Sequence, residues 1–369
     1  MHSDFHNLMR DATRLTQSGD LQAAAAAIQA ALTGTDATMA SPVPATDVVD
    51  LEARVLPEPD AAEPASQPPE HAPEPAAELH SSSPGPAATA SPGHFIAGRS
   101  GRGTSQREYK LFIPPQAGTQ PLPLVVMLHG CTQDPDDFAA GTAMNEAACA
   151  QGFYVLYPAQ SPKANAQRCW NWFKHSHQQR GRGEPAMLAA MTREVMAQHR
   201  VDPQRVYVAG LSAGGAMAAI LGEAYPDLFA AVGVHSGLAA GAARDLPSAL
   251  GAMKSGAVAP GATPSGVPTI VFHGDADATV HPRNGEQVLA ASMGSSGAAQ
   301  RVEGSVPGGR RFTRSTVADA AGRVMAEHWL IHGSAHAWSG GSATGSYTDG
   351  RGPEATAEML RFFLTHARA

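Results

Sequence analysis

Cysteine is scarce in this chain, with three among 369 residues and no CxxC pair. That excludes a disulfide-dense secreted scaffold and a thiolate zinc site, so no metal is expected. Long apolar runs are missing as well: nothing approaches the length of a membrane span. The N-terminus, MHSDFHNLMRDATRL, has neither a basic start nor an apolar h-region, so no Sec-type signal peptide is visible. Basic stripes with interleaved aromatics are lacking too, which argues against a nucleic-acid partner.

Aromatic residues vanish altogether between positions 41 and 92. This stretch, which contains PEPDAAEPASQPPEHAPEPAAE, holds 12 of the 29 prolines and nine carboxylates against Arg54 alone. Such a segment cannot bury enough apolar surface to offset its ordering entropy, and it reads as a disordered, acidic, semi-rigid linker. The linker carries −8 and residues 1–40 carry −2 of the formal net charge of −7, which leaves +3 for residues 93–369. The folded body is therefore close to neutral, and its RSGRGTSQR cluster reads as a solvated loop rather than a phosphate track.

Residues 1–40 are expected to form a short helical hairpin broken at Ser18-Gly19-Asp20, with Asp20 capping LQAAAAAIQAAL and Leu21, Ala25, Ile28 and Leu32 on one face. Weak self- or partner association through residues 1–33 is the expected use of that face. From His94 onward strands alternate with helices, the pattern of a doubly wound, mostly parallel sheet. Strands are expected at Arg107–Ile113, Leu122–Leu128, Phe153–Tyr157, Val206–Ala209, Ala230–Val234, Thr269–His273 and Glu327–Ile331. Helices are expected at 145–150, 184–199 and 353–366, with VDPQR before Val206 as a turn. Residues 93–369 thus read as one α/β domain.

Within it, VYVAGLSAGGAMAAI places Gly210-Leu211-Ser212-Ala213-Gly214 between a strand and a helix. GxSxG in that setting is the sequence form of a nucleophile elbow. The flanking glycines allow a cramped turn, Ser212 Oγ stands clear at the sheet edge, and the Ala213 amide sits at a helix N-terminus beside a developing oxyanion. A phosphate-cradling Gly-rich turn is the rival reading, but no GK[ST] follows and such turns normally open their domain.

A nucleophilic serine needs a base, and the base an orienting acid, which in α/β-hydrolases follow the serine in the order acid, histidine. TIVFHGDADATVHP offers Asp275 and Asp277; the HGxxDxxV spacing selects Asp277 and leaves Asp275 to shape the turn. Among His273, His281, His332 and His336, the last is favoured by its small-residue loop, HGSAHAWSGG, while His332 reads as structural. The second oxyanion donor is expected from LVVMLHGCTQ, at the amide of Cys131, with His129 and Gly130 shaping that loop.

LHGCTQDPDDFAAGTAMNEAA, GFYVLYPAQ, CWNWF, VDPQRVYVAGLSAGGAM, HGDADATVHP and HAWSGG occur in this order from His94 to the C-terminus. Together they resemble the short-chain polyhydroxyalkanoate (PHB) depolymerase and feruloyl or acetylxylan esterase family of α/β-hydrolases. The resemblance implies an α/β-hydrolase fold, Ser212, Asp277 and His336 as catalytic residues, Cys131 and Ala213 as oxyanion amides, and no cofactor. It implies ester cleavage through an acyl-enzyme, on hydroxyalkanoate polymer or oligomer or on aryl esters, and Trp172 and Trp338 as substrate-binding aromatics, with Trp170 read as core. A Cys131–Cys169 disulfide and a buried Cys149 thiol are further expectations. The resemblance points to export, the N-terminus to the cytoplasm. Two readings from other classes share the motifs: a serine peptidase and a non-catalytic binding protein of the same fold.

Overall fold

The computed structural model describes residues 93–101, 103, 106–257, 266–293 and 299–368. The expected hairpin (1–40) and linker (41–92) lie outside the described residues. The remaining chain opens with β1 (His94–Ser100) and β2 (Arg107–Ile113), so Arg99 and Arg107 of the supposed solvated loop lie in paired strands. There follow β3 (Leu122–Leu128), α1 (Pro135–Thr142), α2 (Met144–Gln151), β4 (Tyr154–Pro158), α3 (Gly183–Gln198), β5 (Val201–Leu211) and α4 (Ala213–Ala224). The second half runs β6 (Ala231–His235), α5 (Leu246–Ser255), β7 (Thr269–Gly274), α6 (Arg283–Met293), β8 (Gln300–Ser305), β9 (Arg311–Ala318) and β10 (Val324–Ile331). Short strands β11 (Trp338–Ser339) and β12 (Thr348–Asp349) precede α7 (Ala355–Phe363).

The main sheet has ten strands in the order β1-β2-β4-β3-β5-β6-β7-β10-β9-β8. The strands from β4 to β10 in that order run parallel, and an antiparallel pair extends each edge. The run LPLVVML is apolar throughout because both of its faces are covered. Leu124, Val126 and Leu128 pack with Val206, Val208 and α4 on one side, while Val125 and Met127 meet Tyr207, Ala209 and α7 on the other. Each such side chain, fully buried, contributes on the order of 1.5–3 kcal/mol.

The turn expected at VDPQR lies inside β5. Its ladder pairs Leu122 with Val201 and then Leu124 with Val206, so Asp202–Arg205 loop out of register as a bulge. Arg205 Nε–H closes the bulge on Asp202 Oδ2 at 2.6 Å. β8 and β9 had no counterpart among the expected strands. Among the described residues no helix is long and apolar enough to cross a membrane.

Candidate active site

The parallel strands end their carboxyl edges together, which is where open α/β sheets place ligands. Ser212 occupies the corner between β5 and α4 with φ 57° and ψ −120°. That backbone is rare for a residue with a side chain and costs about 1–3 kcal/mol, offset by its surroundings. Its N–H donates to the His235 carbonyl at 2.9 Å, and its own carbonyl accepts the Ala216 amide at 2.9 Å. A Cβ on Gly210 would strike the Gly214 backbone, and one on Gly214 would strike the Leu128 carbonyl. The glycines let β3 and the elbow touch backbone to backbone. The Ala213 amide belongs to the first turn of α4, where the helix itself supplies no acceptor.

The loop after β3 runs beside this corner: a Cβ on Gly130 would lie 3.6 Å from Ser212 Cβ. Its shape is held from several sides. The Gly130 amide donates to Gln133 Oε1 at 2.9 Å, the Thr132 amide to the Gln167 carbonyl at 2.7 Å, and the Trp170 indole N–H to the His129 carbonyl at 3.1 Å. A disulfide joins Cys131 to Cys169, as expected. Burial holds the His129 ring below its ordinary pKa, against its bond to Gly130. The neutral ring donates from Nδ1 to the Gly130 carbonyl at 2.8 Å and accepts the Gln160 amide at Nε2 at 3.2 Å.

Asp277 follows β7. Its Oδ1 accepts the amides of Thr279 at 2.9 Å and Val280 at 2.8 Å, and its Oδ2 accepts from His336 Nδ1 at 2.7 Å. His273, wholly buried at the end of β7, donates from Nε2 to the Val280 carbonyl at 2.8 Å and stands 3.5 Å from Asp277 Oδ2. Burial alone would raise the Asp277 carboxyl; the bonds from His273, His336 and the Val280 amide outweigh it and keep the group far below the usual carboxylate range. An ionised carboxylate can only accept, so His336 Nδ1–H is the donor in this pair and Nε2 lies outside it.

His235 links the serine corner to the histidine loop. Its carbonyl takes the Ser212 amide, and its ring Nε2 takes the Ser339 amide at 2.9 Å. Complete burial pushes the His235 imidazole well below its ordinary pKa, consistent with an accepting Nε2.

Asp275 and His332, read in the sequence as turn-shaping and structural, brace the acid and base loops against each other. Asp275 Oδ1 accepts the Gly333 amide at 2.6 Å and Oδ2 accepts His332 Nδ1 at 2.8 Å, while His332 Nε2 meets Thr313 Oγ1 on β9 at 2.9 Å. The Ala276 amide donates to the Ser334 carbonyl at 3.1 Å. Arg310, in the β8–β9 turn, donates to the Gly333 carbonyl at 2.5 Å and pairs with Asp349, which also takes the Ser334 hydroxyl at 2.8 Å. Glu184 plays a similar part for the loop before α3, accepting from Gln160 Nε2 at 2.6 Å and from the Asn171 amide and Nδ2, each at 2.7 Å. Burial would raise its carboxyl, but bonds from His177, Asn171 and Gln160 hold it below its ordinary value.

Trp338 requires a correction. It is 1% exposed, stacked on His235 at 5.1 Å, edge-on to Phe138 at 5.5 Å, and its N–H donates to Thr356 Oγ1 at 3.1 Å. It supports the site from below and has no face to offer a substrate. Trp172 is also buried, edge-on to Phe173, and Trp170 lies fully in the core. Cys149 is half-buried rather than enclosed. A cavity of about 710 Å³ lies on the β1–β2 side among Tyr109, His129, Gln160 and Arg168, and its lining does not include Ser212, Asp277 or His336.

A mostly parallel sheet with an elbow serine between β5 and α4, and an acid and a histidine on later carboxyl-edge loops, is an α/β-hydrolase. The model of the family described as Esterase PHB depolymerase matches residues 107–306, which places the chain in that family. Ser212 and Asp277 fall within the matched span and His336 beyond it. The chain is 33% identical over 227 residues to "Poly(3-hydroxyalkanoate) depolymerase C" of Paucimonas lemoignei, covering 58% of this chain and 54% of that one. It is 30% identical over 285 residues to "Poly(3-hydroxybutyrate) depolymerase" of Ralstonia pickettii, covering 69% and 57%. It thus spans little more than half the length of these relatives. The fold is shared with the acetyl xylan esterase from Aspergillus awamori at 19% identity and TM-score 0.58, covering 73% of this chain and 98% of that one.

Proposed function

We propose that this chain is a serine-dependent carboxylic-ester hydrolase acting on short-chain polyhydroxyalkanoate, as 3-hydroxybutyrate polymer or oligomers. The observation that carries the reading is the 2.7 Å Asp277–His336 bond, with the His336 loop bound through His235 to the Ser212 corner. Family membership and the names of the relatives support the substrate class.

His336 Nε2 takes the Ser212 proton as Oγ bonds to the ester carbonyl carbon. The oxyanion is received by the amides of Ala213 and Cys131, worth about a hundred- to a thousandfold in turnover for each donor. His336 returns the proton to the departing alcohol oxygen, leaving an acyl-enzyme on Ser212. Water repeats the attack, its proton passing through His336, and frees the acid.

The test is a comparison of initial rates for the wild type and Ser212→Ala on 3-hydroxybutyrate oligomers, methyl ferulate, short nitrophenyl esters and a peptide panel. Oligomer cleavage by the wild type, lost in the variant, is the expected result. Cleavage of aryl and nitrophenyl esters alone refutes the polyester reading, and retained activity in the variant refutes the role of Ser212. A fluorophosphonate probe that fails to label Ser212 moves the weight to a non-catalytic binding protein.

A further inference from the structure

Tyr347 lies on the loop before β12 and is 46% exposed, the one aromatic among the exposed large apolar residues of the described chain. Its Oη shares a hydrogen bond with Thr132 Oγ1 at 3.1 Å, and Thr132 directly follows Cys131. On the other side, the Tyr347 carbonyl accepts the amide of Trp338, two residues past His336, at 2.6 Å. Tyr347 and Thr132 both hold left-handed backbone, with φ 53° and 66°. Residues with a Cβ keep that conformation only where neighbours impose it.

The neighbours are on hand. Ser346 donates its amide and hydroxyl to Asp137 at 2.8 and 2.6 Å, and Gln133 Nε2 reaches the Ser346 carbonyl at 3.2 Å while its Oε1 holds the Gly130 amide. The ring is therefore fixed where the oxyanion loop and the histidine loop meet, its hydroxyl engaged by Thr132 and the residue nearly half exposed. An aromatic side chain with a fixed backbone presents binding surface at little ordering cost. The chain has covered Trp172 and Trp338 but left this ring open.

We infer that Tyr347 is a substrate-contact residue whose ring face receives the methyl-bearing repeat units of a hydroxyalkanoate chain beyond the unit bonded to Ser212. The inference rests on the ester-hydrolase reading above. A polyester of this class alternates carbonyl groups with apolar branched carbons and carries no charge along its length, which suits an uncharged aromatic face.

The test compares kcat and KM for 3-hydroxybutyrate trimer and for nitrophenyl acetate, which is too short to extend past the first unit, in the wild type, Tyr347→Ala and Tyr347→Phe. Loss of one aromatic contact lowers kcat/KM for the trimer about tenfold in Tyr347→Ala, mainly through KM. Nitrophenyl acetate stays within about twofold, and Tyr347→Phe, which keeps the ring but loses the Thr132 bond, stays near the wild type on both substrates. An equal fall on both substrates, an unchanged trimer rate, or a Phe variant as impaired as the Ala variant overturns the inference. A wild type that is inert toward the trimer overturns it together with the polyester reading, and a Ser212→Ala variant that still cleaves the acetate refutes only the mechanism beneath.

Discussion

Replacing Asp275 by alanine separates positioning from chemistry, because Asp275 touches neither Ser212 nor His336 but ties down the loop that bears the histidine. The substitution removes the bonds to the Gly333 amide at 2.6 Å and to His332 Nδ1 at 2.8 Å. Both side chains are about a third exposed, at 35% and 38%, so water replaces part of what is lost. At about 0.5–1.5 kcal/mol per bond, and toward the low end here, the fold loses about 1–2 kcal/mol, a fall of a few degrees in Tm. The kinetic effect is larger in proportion. A displacement of His336 by about 1 Å costs up to a hundredfold, so kcat on nitrophenyl acetate falls about ten- to a hundredfold with KM little changed. Asp275→Asn, which keeps an acceptor for the Gly333 amide, falls between the two. Stopped assays at 25 °C with parallel thermal melts provide both numbers. A kcat within about twofold of the wild type, with Tm lowered, refutes the claim that the brace positions the histidine.

The Cys131–Cys169 bridge closes a span of 38 positions, for which cross-linking contributes about 3–4 kcal/mol. Reductant is expected to lower Tm on the order of 10 °C, and an unchanged Tm with both thiols shown to be free by alkylation contradicts this. His328, buried on β10, has its pKa pushed down to about 3 by burial, aided by the charge of His273 and Arg301. Its ordinary value is 6.5, so across that window the unfolded chain binds the proton and the folded one does not, and stability falls as the pH drops from about 6.5 toward 3. A His328→Leu variant shows a shallower acid-side decline in denaturant midpoint; an identical slope argues against this origin.

The central strands were legible because burial on both faces demands uninterrupted apolar runs such as LPLVVML, and the elbow was legible because its glycines answer to a steric demand visible in five residues. Asp277, His336 and Cys131 were legible from the HGxxDxxV spacing, the small-residue loop HGSAHAWSGG and the loop after LVVML, and the family resemblance pointed to the same three residues; the structure pairs Asp277 with His336 and sets the Cys131 loop beside Ser212. β8 and β9 escaped notice for the opposite reason. QRVEGS is largely solvent-exposed, so no alternation of apolar and polar residues marks it. The two tryptophans were misjudged because an aromatic residue in or beside a motif looks the same in sequence whether it faces substrate or core. Tyr347 carries no period and sits among Gly, Ser and Thr; only its exposure and its bond to Thr132 distinguish it. The partners of Asp275, His332 and Gly333, are distant in sequence, and no spacing rule connects His332 to Thr313.

Neither Gly210 nor Gly214 has positive φ, so their small size serves proximity and not conformation. A variant with alanine at either position therefore cannot be rescued by relieving backbone strain nearby. It would need β3 itself to retreat, and Leu128, with no exposed surface, is gripped on all sides. The joint between β3 and the elbow thus behaves as a weld, for which single-site search offers no path through a larger residue.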